Sequence, residues 1–196
     1  MIADTIKNRM VQSVTEPRAV ARWLFDLRLD DGVLLTAFAL VLVLNGLLTA
    51  FFNTLLPLNP VVAPLAANPF IYVGGLGAIL VGVAVALTWA GRVLGGTASF
   101  RNVATLLIWL QFLRLIAQTV VLFSALIMPM IASLLSLAAS VAGIWIVLNF
   151  LAEAHNFPSL AKAAFALLLG MTAVALGLAV VISMLGISTT GTMGHV

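Results

Sequence analysis

The sequence predicts an all-α, polytopic integral membrane protein: a five-helix transmembrane bundle preceded by an amino-terminal interfacial amphipathic helix. Three observations carry that reading. Hydrophobic residues fill 63% of the 196 positions and charged residues only 8%, with a mean hydropathy of +1.23, and no water-facing surface can be assembled from such a composition. Five stretches are apolar over the roughly 20 residues that a bilayer crossing needs. Charges crowd into residues 1–31 and then almost vanish.

The elements follow in chain order. The arm, 1–31, mixes Lys7, Arg9, Arg18, Arg22 and Arg28 with Asp4, Glu16, Asp26, Asp30 and Asp31. It lacks the apolar run of a signal peptide, so the first hydrophobic segment is expected to remain as an anchor. Within the arm, "EPRAVARWLFDLRLDD" (16–31) sets Pro17 at a first helical position and Val20, Trp23, Leu24 and Leu27 on one face, with Arg18, Arg22 and Asp26 opposite. Two placements suit this helix. It lies on an anionic cytoplasmic leaflet, with Arg18 and Arg22 near phosphates and Trp23 among headgroups, or it caps the cytoplasmic end of the bundle.

The membrane domain, 32–190, has expected spans near 33–56, 70–90, 103–128, 131–152 and 163–187, followed by a short external tail, 191–196. "LLPLNPVVAPLAANP" (55–69) separates the first two, because its prolines stop helix and sheet alike. "GRVLGGTASFRN" (91–102) separates the next pair: Gly95 and Gly96 break the chain, and Thr97 or Ser99 is able to cap the helix that follows. Met128-Pro129 makes a tight turn, and "EAHNFPSLAK" (153–162) leads to the last helix, with Pro158 suited to its start. The flanking cations lie in the arm, in the second loop (Arg92, Arg101) and in the fourth (Lys162), all on one side. By the positive-inside rule the amino terminus is cytoplasmic and, after five crossings, the carboxyl terminus is outside.

Inside the membrane the polar groups are few. Gln111, Arg114 and Gln118 share one stripe of the third span. An arginine at mid-bilayer costs ~3 kcal/mol or more, so Arg114 is expected to face protein or water. It lies ~21 Å along the helix from Met128, about 9 Å below the loop-side boundary of a ~30 Å core. Glu153, the sole acid after residue 31, closes the fourth span with Asn149 one turn deeper. A contact between Arg114 and Glu153, flanked by Gln111 and Asn149, is therefore expected. It serves either as a polar cavity for a headgroup or ion, or as a pair that fixes helix register.

Asn45, Thr49 and Asn53 recur every fourth residue on the first span, as interior lining or as interhelical hydrogen-bond partners. Gly74, Ala78, Gly82, Ala86 and Ala90 form a small-residue ridge on the second span, expected to admit another helix of the bundle, with homo-oligomerisation as the alternative. His155 reads as an ordinary loop histidine, since a metal site wants three converging ligands and His195 is far away in the chain.

No phosphate-cradling glycine loop, GxSxG, HExxH or paired carboxylates occur, and the chain has no cysteine. Catalytic, cofactor-binding and metal-binding residues are thus expected to be none. The high pI reports charge asymmetry across a membrane and not nucleic-acid binding.

"VTEPRAVARWL", "GRVLGGTASFRNVATLLIWLQF", the Met-Pro turn and "IVLNFLAEAHNFPSLAKAAF", spread over nearly the whole chain, resemble bacterial members of the Yip (Ypt-interacting protein) membrane family. The resemblance is nearest to short bacterial inner-membrane versions and implies five spans with a cytosolic amino terminus. Eukaryotic relatives are associated with Rab-type GTPases and membrane trafficking, machinery that bacteria lack, so that role is not carried over. The expected function is a non-enzymatic accessory or scaffold subunit that meets membrane lipids, another membrane protein or itself. The alternative is a small transporter, channel or lipid-translocating protein using Gln111, Arg114, Gln118, Asn149 and Glu153.

Overall fold

The computed structural model describes residues 2–53 and 68–184. The proline-rich stretch 54–67, the Asn53 side chain and the expected external tail lie outside the described residues. Those described are helical or in turns: α1 (Ile2–Thr15), α2 (Pro17–Asp26), α3 (Asp31–Asn53), α4 (Pro69–Val93), α5 (Phe100–Ile127), α6 (Pro129–Ala154) and α7 (Leu160–Met184). Helices α3 to α7 are each long and apolar enough to cross a membrane, as the composition requires.

Local chemistry sets the boundaries. Pro17 opens α2 immediately after α1, where its missing N–H costs nothing. Asn68 caps α4 by accepting from the Phe70 and Ile71 amides, and Ser99 caps α5 by accepting from Asn102. The Ser99 cap starts α5 at Phe100, ahead of the expected position 103. Pro129 follows Met128 at the first turn of α6. Pro158 does not open α7: it sits in the preceding turn, and Ser159 Oγ accepts from the Lys162 amide at 3.4 Å.

Antiparallel α5 and α6 form a hairpin; α4 packs on α7, α3 leans on α4 and α5, and α2 wedges against α6 and α5. The core gathers at one end of this bundle, where the arm and the loops 94–99 and 155–159 meet. Its members include Val20 and Leu24 of α2, Leu87 of α4, Val103 of α5, Phe150 of α6 and Ala166 of α7. Away from that end the helix surfaces are apolar and exposed, as at Phe70, Ile79, Ile127, Met130, Leu134 and Leu176, which suits lipid or another span.

Close helix approach occurs away from the expected ridge. Gly74, Ala78 and Gly82 are exposed and Ala86 half-buried; within the ridge only Ala90 is buried, and a Cβ on Gly74 or Gly82 would meet open space. The expectation that the ridge packs inside the bundle is thus corrected. The tight α4–α7 seam instead uses Gly170, where an added Cβ would stand 2.8 Å from Leu87 Cδ2 and 3.4 Å from the Leu87 backbone. The reason is rotational: α4 turns Ala84, Leu87 and Thr88 inward, which carries Gly74, Ala78 and Gly82 toward the outside.

Gly170→Val is expected to pry α4 from α7 and cost ~1–3 kcal/mol, whereas Gly82→Val, with open space around it, changes stability by less than ~0.5 kcal/mol. Thermal unfolding of the two variants in the same detergent measures both; equal losses would contradict the seam.

Candidate functional site

The polar groups converge where the arm meets α6. Arg18 and Arg22 lie one turn apart on α2, and Asn149 and Glu153 one turn apart on α6. Arg18 Nε donates to Asn149 Oδ1 at 3.3 Å, and Arg22 Nη1 to Glu153 Oε1 at 3.1 Å. One turn deeper, Trp145 Nε1 donates to the Val14 carbonyl at 3.1 Å. All three contacts join positions 131 apart, so the arm runs alongside α6 in constant register for two turns. On the α5 side, Trp23 meets Trp109 edge-on at 5.7 Å, Trp109 Nε1 donates to Ser13 Oγ at 3.0 Å, and Arg9 lies 4.9 Å over the Trp23 ring. Pro17, Val20, Ala21 and Leu24 are buried beneath.

In this geometry α2 packs against α6 and α5 at the loop end of the bundle. Arg18 and Arg22 address Asn149 and Glu153, while Trp23 packs against Trp109. The expected contact between Arg114 and Glu153 does not form. Folding about Met128 brings position 114 level with about position 142, which leaves Glu153 ~16 Å further toward the loop end. Arg114 is exposed on α5. Gln111 is buried and lines an apolar cleft of about 350 Å3 between α3, α4 and α5, with Phe38, Leu80, Ala84 and Leu107. Gln118 is half-buried. The stripe is therefore divided: Asn149 and Glu153 belong to the arm, whereas Gln111, Arg114 and Gln118 do not reach them. On the first span, Asn45 bonds back to the Val41 carbonyl, and Thr49 Oγ1 meets Tyr72 Oη across helices at 3.1 Å.

A second cluster joins the C-termini of α4 and α6. Both end in Schellman turns. In α4, Gly95 takes φ +80°, with Gly96 N–H donating to Gly91 O and Gly95 N–H to Arg92 O. In α6, Asn156 takes φ +55°, with Phe157 N–H donating to Ala152 O and Asn156 N–H to Glu153 O. The two turns face one another. Thr97 N–H donates to His155 O at 3.3 Å, Ala98 N–H to His155 Nδ1 at 3.4 Å, and Asn156 Nδ2 to Thr97 Oγ1 at 2.8 Å.

His155 is the hub of this joint and no ordinary loop residue: it is 1% exposed and stacks on Phe157 at 5.2 Å. A Cβ on Gly91 or Gly96 would overlap its ring, so both glycines exist to admit the imidazole. With Nδ1 accepting, the neutral ring carries its proton on Nε2, which makes no well-formed hydrogen bond to a described residue, although the Leu87 carbonyl is close enough to act on the ring. Burial holds the pKa below the ordinary 6.5; the nearby Leu87 carbonyl opposes this and Arg92 adds to it. Sequence reading missed this role, although the glycines of "GRVLGG" were a visible sign that something large lies against that turn. Among the described residues no three His, Asp or Glu side chains gather as a metal would need. Arg101 pairs with Asp31 of α3, Arg92 Nε donates to Ala98 O, and Lys162 lies over the Phe157 ring, so the cations of both loops are spent on joining elements at this end.

Five long apolar helices with an arm and two loops knit together at one end define a polytopic helical membrane protein. A model of the Yip1 domain matches residues 11–184, and the chain belongs to that family. Comparison with curated proteins and with solved structures finds no match. The matched region takes in both the arm ladder and the His155 joint.

Gly91→Ala is expected to destabilise the wild-type protein, yet to be neutral or favourable when His155 is already Ala, a coupling of at least ~1 kcal/mol in a double-mutant cycle. Additive losses would place the ring elsewhere. Because the folded His155 pKa lies below its unfolded value, the stability it confers is complete above pH 6.5 and falls as pH drops below that value. Unfolding temperatures recorded from pH 7 to 5 should decline in the wild type and flatten in His155→Asn.

Proposed function

We propose that the protein is a non-enzymatic accessory or scaffold subunit of the bacterial inner membrane, acting by association with another membrane protein and with surrounding lipid. The supporting observation is how the molecule spends its polar groups. Those at the loop end are consumed in holding arm, loops and helices together, while the opposite half offers long exposed apolar faces and the open small residues Gly74, Ala78 and Gly82. A rigid end and an unsealed lateral surface suit docking between spans. The transport alternative rested on Gln111, Arg114, Gln118, Asn149 and Glu153 lining one path, and Asn149 and Glu153, two of the five, are held by Arg18 and Arg22.

The proposed orientation puts the arm and the loops bearing Arg92, Arg101 and Lys162 in the cytoplasm and the carboxyl terminus in the periplasm, as the positive-inside rule directs. The chain has no cysteine, so single-cysteine variants are free of background. Cysteine at Lys7 or Ser159 should react with a membrane-impermeant maleimide only after the inner membrane is opened, and cysteine at Met130 in intact spheroplasts. Reversed labelling would overturn the orientation. Purification from native membranes in mild detergent with mass spectrometry tests the association: one constant membrane-protein companion is expected, and recovery with lipid alone would favour the transport class.

A further inference from the structure

Arg114 is the one cation of the chain inside a spanning helix and away from its ends. Helix α5 runs from Phe100 to Ile127, about 42 Å, and Arg114 stands at its midpoint, ~9–15 Å inside a ~30 Å hydrocarbon core. It is exposed and makes no hydrogen bond or ion pair with a described residue.

The sequence closes the search for a partner within the chain. Its six acids are Asp4, Glu16, Asp26, Asp30 and Asp31 of the arm and Glu153, and Glu153 is held by Arg22 at the loop end. Neither 54–67 nor 185–196 contains Asp or Glu. A second copy inserted the same way brings the same six acids at the same depths, so it adds none at the level of Arg114. A lipid phosphate lies ~9–15 Å nearer the surface. A carboxylate on a neighbouring span meets the guanidinium at its own depth, where low dielectric strengthens a bidentate pair.

We infer that Arg114 is the docking point for a mid-membrane Asp or Glu on a transmembrane helix of a different protein. This rests on the association reading above and names the chemistry of its partner. Because the natural partner is unidentified, the probe is a poly-leucine spanning peptide with one central Glu, compared with otherwise identical peptides carrying Gln or Leu. Each is labelled for energy transfer to the full-length protein in phosphatidylcholine vesicles.

The Glu peptide is expected to associate about tenfold more tightly than the Leu peptide. That preference should survive in Arg114→Lys and vanish in Arg114→Leu, whose thermal unfolding should match wild type because the side chain bonds to no described residue. Equal association of all three peptides, or a preference that persists in Arg114→Leu, overturns the inference. So does loss of the preference on adding phosphatidylglycerol, with that lipid retained in native mass spectra by the wild type and not by Arg114→Leu; the occupant is then a lipid phosphate. Peptide preference without a native companion would refute the accessory reading and leave the site standing, and a companion retained by Arg114→Leu would do the reverse.

Discussion

The structure depends on the constant register between the amino-terminal arm and α6. Val14 at the end of α1 and Arg18 and Arg22 of α2 meet Trp145, Asn149 and Glu153 in successive turns, and the arm holds such a match only where it runs beside α6. The charged contact adds little energy, since the Arg22 side chain is 60% exposed and such pairs contribute ~0–1 kcal/mol. Its role is to choose which face of α2 turns inward. Once Arg18 and Arg22 reach α6, Val20, Ala21 and Leu24 have the bundle beneath them, and their burial supplies the stabilisation.

The joint at His155 does for the loops what the ladder does for the arm. Two helix C-termini would ordinarily present unpaired carbonyls to each other. Here both turn back on themselves in Schellman geometry, and the imidazole occupies the gap that Gly91 and Gly96 leave. The α4–α5 and α6–α7 connections are thereby locked together although they are far apart in sequence.

Much of this was legible in the sequence. Five spans could be counted because length, hydropathy and the prolines and glycines between them agree, and the cap of α5 could be narrowed to Thr97 or Ser99, of which Ser99 serves. The Arg114–Glu153 pairing failed for a reason that was itself available: in an antiparallel hairpin, depth is counted from the turn at Met128, and the two residues sit at unequal counts. The true partners also left a trace. Arg18 and Arg22 share the four-residue spacing of Asn149 and Glu153, but spacing alone does not say which helices lie adjacent. The His155 joint was not legible, because its halves are 57 positions apart and a single imidazole in a turn has many innocuous uses. Likewise, the ridge of small residues on α4 showed that a close approach is permitted without showing which side of the helix the bundle occupies.

Concentration of the core at one end gives the two halves of the molecule different solvents. The base is sealed protein against protein, whereas beyond it the outward apolar faces of the spanning helices are left to acyl chains. A change in acyl-chain length therefore meets mostly helix surface far from the arm and from the His155 joint.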